Sequence, residues 1–439
     1  MTGVLGRLTR ALPPGLLAVG VGTVTLGFAS YAHLAVAGHA LDRESLAEVS
    51  VLWTMAMSFG LGLFFPVEQE LTRVIAARAA SGQGALPVLR KATVLTAGLL
   101  VVVLAGLAAF SGRLADVFFH GDRTMVLALA AAFVGPAACY LTRGVLAGLG
   151  HFTSYGVQLG VDGVLRIAFS VGLMVAGVHS ALAYSLILAV SPLLAMLVSL
   201  PRTLRIARPG PAIGWRELCS GLGMLTASFL LAQFVANAAV LSIQVLAPSQ
   251  AVLVGAFTGA MVLSRVPLFV FGALQASLMS GLSTAVATGD RAGFRRLLTR
   301  TCGMVGALGV LGGVPAVVLG PWIIHVAFNA DRHALGPVDF LWLSVGTLAY
   351  LLATVVGQAV IARGHHRRQL AGWALGTLAL LLITCLPGDP ALRVEAAYTV
   401  GPLVVLAVML LALRGGGSVP GAGPDAARAA VAADTVSAG

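Results

Sequence analysis

Charge is what this chain of 439 residues has least of: 10% of its residues are charged, while 58% are hydrophobic and the mean hydropathy is +0.97. An ordinary soluble domain carries roughly a quarter charged residues, so a water-soluble fold is excluded. Lysine is nearly missing, Lys91 being the only one among 27 basic residues, a bias that points to GC-rich coding and a bacterial source. The four cysteines (Cys139, Cys219, Cys302, Cys385) lie in or beside apolar runs without CxxC spacing or a histidine at ligand distance. They read as small core hydrophobes, and no disulfide, metal or cofactor is expected. No GxxxxGK[ST] phosphate loop occurs, which excludes work powered by ATP bound to this chain. The net charge of +11 is neither clustered nor interleaved with aromatics, so no nucleic-acid partner is expected.

What is present is a succession of apolar runs, each long enough to cross a bilayer core of about 30 Å at 1.5 Å rise per residue. They place helices near 15 to 38, 49 to 69, 92 to 111, 124 to 142, 155 to 178 and 181 to 200, then 220 to 245, 251 to 275, 302 to 321, 338 to 361, 370 to 386 and 396 to 413. The first run follows Arg7 and Arg10 like a signal peptide, but it is too long for an h-region of about 7 to 15 residues. It is read as helix one. With both termini cytoplasmic, twenty of the 27 basic residues, Arg143 among them, fall in inner segments and five in outer loops. That is the asymmetry a multi-pass protein of the bacterial cytoplasmic membrane requires. The divisions expected are a cytoplasmic N-terminus (1–14), a six-helix bundle (15–200), a cytoplasmic linker (201–219), a second six-helix bundle (220–413) and a disordered cytoplasmic tail (414–439).

The two halves carry traces of one another. Offset by 207 residues, "EQELTRVIAARAASGQ" (68–83) lies over "QASLMSGLSTAVATGD" (275–290), matching Leu71 to Leu278, Ala80 to Ala287 and Gly82 to Gly289. Offset by 214, "AGLGHFTSYG" (147–156) lies over "IARGHHRRQL" (361–370), sharing Gly150 with Gly364 and His151 with His365. Six helices per half is an even number, so the halves run in parallel about an axis along the membrane normal. The fold expected is therefore all-α, about twelve spans in two parallel halves with a central cavity, the architecture of alternating access.

In this arrangement "RVPLFVFGALQASLMSGLSTAVATGDRAGFRRLL" (265–298), which closes the eighth helix, resembles the multidrug, oligosaccharidyl-lipid and polysaccharide exporter superfamily. "FFPVEQELTRVIAARAASG" and "TRGVLAGLGHFTSYG" are most similar to the first-half counterparts of Wzx-type polysaccharide flippases. The resemblance covers about 15 to 413; members often carry Pro-Arg where this chain has Ser280-Gly281, which leaves no arginine for that role here. It implies a transporter that moves an undecaprenyl-pyrophosphate-linked glycan between leaflets among membrane lipids. With no ATP-binding loop, a proton, a sodium ion or the membrane potential is left as the energy source, the sequence choosing none of them, and the protein acts either alone or with polysaccharide-assembly proteins.

Ionisable side chains inside spans are costly and mark candidate sites. Arg265 lies about 21 Å into the eighth helix, placed either to hold a phosphate bidentately or to pair with a carboxylate of another helix. Asp162 and Arg166 are spaced i, i+4, as an internal salt bridge or as cavity groups. Gln233 and Asn237 put two amides on one face of helix seven, suited to sugar hydroxyls or to interhelical hydrogen bonds. His33, Tyr31 and Gln358 are weaker candidates, and His365-His366 reads as solvated loop. In "FFPVEQELTR" Pro66 predicts a kink, Glu70 and Arg73 can pair in the headgroup zone, and Glu68 has Gln275 as its repeat mate, suggesting a gate between the halves. A cation-coupled drug antiporter of the same fold would favour acids over arginines, and a scaffold would need neither. A membrane enzyme would need a larger outer loop or clustered acid-base residues, so no catalytic activity is expected.

Overall fold

In the computed structural model, residues 15–247, 250, 253, 256–257, 260–261, 266–328 and 335–414 are described. Among them the secondary structure is helical throughout: α1 (Leu16–Ala40), α2 (Arg43–Ala80), α3 (Leu86–Ala109), α4 (Ser111–Phe118), α5 (Arg123–Gly148), α6 (Phe152–Val175), α7 (Ala181–Ile206), α8 (Trp215–Leu246), α9 (Val266–Ala287), α10 (Arg291–Phe328), α11 (Pro337–Ala362), α12 (His366–Thr384) and α13 (Pro390–Arg414). Ten of them are long and apolar enough to cross a membrane; α4, α9 and α12 are the others. Leaving aside the eight-residue α4, the long helices among the described residues number twelve, six from α1 to α7 and six from α8 to α13. The chain is a multi-pass membrane protein.

Two helices outrun the apolar stretches that announced them. Expected over 49 to 69, α2 has 38 residues, starting at an N-cap where Asp42 Oδ1 accepts from the Ser45 N–H at 2.8 Å. It continues through Pro66 and the polar stretch because Glu68, Gln69, Glu70 and Thr72 are buried against protein rather than released to water. Likewise α10 extends through 38 residues where 302 to 321 was expected. Arg265 and the segments 1–14 and 415–439 lie outside the described residues.

The duplication is written into the turns. After α2, the Gln83 N–H reaches Arg78 O and the Gly82 N–H reaches Ala79 O; after α9, the Asp290 N–H reaches Ala285 O and the Gly289 N–H reaches Val286 O. Both are Schellman motifs, whose C′ residue must turn left-handed and so is glycine. The φ values are +70° at Gly82 and +70° at Gly289. The second pair repeats this: the turns after α5 and α11 place Gly150 at +73° and Gly364 at +72°, each with the same two closing hydrogen bonds. Helix neighbours repeat too. In the first half α1 packs on α6, α2 on α5 and α5 on α7; in the second, α8 packs on α12, α9 on α11 and α11 on α13.

The halves meet along α1 and α2 on one side and α8 and α9 on the other. The Phe65 and Phe229 rings stand edge to face at 5.2 Å, and Ala276 of α9 joins the apolar cluster of Val19, Leu146 and Phe152. The second of these contacts lies toward the face of the bundle that holds Gly15, Arg414 and these glycine turns, here called the termini face. The linker between α7 and α8 is strapped there to the first half. The Leu86 N–H donates to Arg208 O at 3.1 Å, Arg78 donates to Pro211 O, and Lys91 donates to Ile213 O while lying over the Trp215 ring.

Candidate functional site: a buried charge cluster in the first half

One element pair, α5 and α6, brings three buried charged side chains together inside the first half. Asp162 of α6 lies between two guanidinium groups: Arg166, one turn on, with Nη2 3.2 Å from Oδ1, and Arg143 of α5, with Nη2 3.6 Å from Oδ2. All three are buried, at 3%, 3% and 6% exposure. Arg166 Nη1 also donates to Ser30 Oγ of α1 at 3.2 Å. Ser170 Oγ donates to Arg166 O at 2.7 Å and lies 2.8 Å from His33 Nδ1. With the hydroxyl proton so engaged, His33 is the donor from Nδ1.

Glu68 of α2 completes the cluster. Its Oε1 accepts from Tyr155 Oη of α6 at 2.8 Å, and its Oε2 has no hydrogen-bond partner. Arg143 lies 5.6 Å over the Tyr140 ring, Tyr140 packs edge-on against Phe65 at 5.7 Å, and Phe65 meets Phe229. A continuous path of side chains therefore runs from the charges to the seam between the halves. Asp162 is the shared counter-charge of the two guanidinium groups, and such pairing is the condition under which buried charge is tolerable. Arg143 Nε and Nη2 and Arg166 Nε nevertheless make no hydrogen bond, so the site holds spare donors.

The i, i+4 spacing of Asp162 and Arg166 thus does form a bridge, and a third partner joins it. Arg143 is a correction: charge counting put it in an inner loop, yet α5 runs on to Gly148 and buries it. The signal for this was available, because "GVLAGLG" after Arg143 is still apolar. Tyr155 carried no such signal. Gln233 and Asn237 are half-buried on α8, and Asn237 Nδ2 donates at 2.7 Å to the Gln233 carbonyl of its own helix. Gln275 is half-buried on α9 and no hydrogen bond joins it to Glu68, whose partner belongs to its own half. Gln358 is buried on α11 with Oε1 unpartnered. The Tyr31 ring packs tilted against Trp53, their centroids 6.0 Å apart. His366, expected in a solvated loop, is 7% exposed because α12 begins there and packs on α8.

The architecture is that of the multidrug exporters called MATE transporters. The chain superposes on a mutant of the Vibrio cholerae MATE transporter VcmN with a TM-score of 0.75 at 15% identity, covering 93% of this chain and 98% of that one. For the eukaryotic MATE transporter AtDTX14 the TM-score is 0.75 at 13% identity, covering 94% and 96%. A MATE family transporter of the MOP superfamily in its outward-facing conformation gives 0.72 at 12%, covering 91% and 94%. At these identities what is shared is the fold. By sequence, the chain is 28% identical over 424 residues to an uncharacterized protein of Mycobacterium bovis, covering 94% of this chain and 95% of that one. It is 29% identical over 323 residues to an uncharacterized protein of Mycobacterium tuberculosis, covering 71% of each. No family model matches.

Proposed function

We propose that this protein is an alternating-access transporter that moves an anionic lipid-linked oligosaccharide, such as an undecaprenyl-pyrophosphate-linked glycan, across the bacterial cytoplasmic membrane. Its termini lie in the cytoplasm, and polysaccharide-assembly proteins are its partners. The observation that carries the substrate class is the buried pair Arg143 and Arg166, whose guanidinium N–H groups are not all used by the two carboxylates beside them. Planar donors in a water-poor wall suit phosphate oxygens and sugar hydroxyls. Gln233, Asn237 and Arg265 extend the substrate-facing set, Glu68 and Gln275 form a gate, and a proton or sodium ion supplies the drive. The test is a flipping assay in proteoliposomes with a fluorescent lipid-linked oligosaccharide. The full chain is expected to translocate it, and Arg143→Gln to do so at least tenfold more slowly; no translocation by the full chain rejects this substrate. The fold shared with MATE transporters favours a second reading, a cation-coupled multidrug antiporter. Dye efflux driven by an imposed proton or sodium gradient, with no effect on the lipid-linked glycan, would select it.

A further inference from the structure

At the termini face the first half touches the second through a group of ionisable side chains apart from the cluster above. Glu70 of α2 is 1% exposed and accepts from Arg73, with Nε at 2.9 Å from Oε2 and Nη2 on Oε1. Across the seam, His366 opens α12 with Nε2 3.7 Å from Glu70 Oε2 and Nδ1 without a hydrogen-bond partner. Its ring is pressed on the backbone of α8, where a Cβ at Gly221 would overlap it. No hydration shell fits around the imidazole while the halves are together. Glu70 already has its counter-charge in Arg73, so a proton on His366 sets a second positive charge against one buried carboxylate.

The contact has a pseudo-symmetric mate that lacks this chemistry. By the repeat offsets, Glu70 corresponds to Ser277, Arg73 to Ser280 and His366 to Phe152. Phe152 does meet α9, in the apolar cluster with Ala276. The seam therefore closes at two equivalent places, one of hydrocarbon and one titratable.

We propose that His366 is a proton-sensitive latch of the termini face, neutral while the two halves are joined and protonated once they part. The groups facing it are Glu70 and Arg73 from α2, with His365 beside it on its own helix; Glu217 of α8 acts on Arg73. Burial dominates and holds His366 below the ordinary histidine value of 6.5, with Arg73 and His365 adding to that effect and Glu70 opposing it. The joined state then binds the proton less well than the parted state. Lowering the pH through the ordinary histidine range favours parting, by about tenfold in the ratio of the two states per pH unit at most. His366 lies outside the span expected over 370 to 386, where protons from water can reach it.

The latch rests on the proposed function only in requiring that the halves move. The measurement is the spin-label distance between Ser81→Cys and Thr288→Cys, exposed equivalent positions beside the two glycine turns. It is made on the full chain in lipid nanodiscs with the four native cysteines replaced by serine. A longer distance is expected to gain population between pH 7.5 and 5.5. In His366→Gln that pH response should disappear, and in Arg73→Gln it should reverse, since an unbalanced Glu70 would hold the protonated ring. An unchanged distance across this pH range, or the same response in His366→Gln, overturns the latch. If the flipping assay still succeeds, the transporter reading stands without it.

Discussion

The two halves share one fold and differ in what fills it. At the positions where the first half has Arg143, Asp162 and Tyr155, the second half has Gly357, Gly376 and Gln369 by the offset of 214. These correspondences hold in space: α5 and α11 each have 26 residues and end in matching glycine turns. Where the first half separates its helices with a guanidinium, a carboxylate and a phenol, the second closes them on glycine, Gly376 facing Val405 and the Gly401 carbonyl, and Gly357 facing the Gln369 amide. A duplicated bundle can thus keep its packing scheme while one copy holds a charge cluster and the other a tight contact.

That contrast can be broken most strongly at Asp162. Asp162→Ala leaves Arg143 and Arg166 buried without their shared counter-charge, at a cost of about 3 to 5 kcal/mol. The expected outcome is loss of the folded protein in a thermal melt followed by size-exclusion chromatography; wild-type melting would mean Asp162 is not the counter-charge of the two arginines. Tyr155→Phe is smaller: it strips Glu68 Oε1 of its hydrogen bond at 2.8 Å and is expected to cost about 3 kcal/mol while leaving the fold intact. The smallest effect belongs to the second half. Gly376→Ala forces α12 from α13 by overpacking, about 1 to 3 kcal/mol, and should lower the melting temperature without changing the pH response of the seam. A change in that response would show that the second half is not the passive partner.

How legible all this was depends on whether a feature is local. Span number and parallel duplication follow from runs of apolar residues and from glycines at Gly82, Gly150, Gly289 and Gly364, each of which is needed where it stands for a local backbone reason. The Asp162 and Arg166 pair was legible for the same cause, one helical turn being a local distance. Arg143 and His366 were misplaced because hydropathy marks the edge of a hydrocarbon run and not the end of a helix. Both lie where a helix continues past lipid and is buried by protein. Tyr155 was invisible because its partner is 87 residues away.

By itself, then, the sequence determined that the chain is a multi-pass membrane protein built of helices and that its halves are copies, since both are consequences of composition and short-range period. Only the tertiary structure decided which charges neutralise one another and where the halves touch. Glu68 finding Tyr155, Asp162 finding Arg143, and Glu70 finding His366 are each set by helix packing between distant segments. No pattern along the chain encodes a contact of that range.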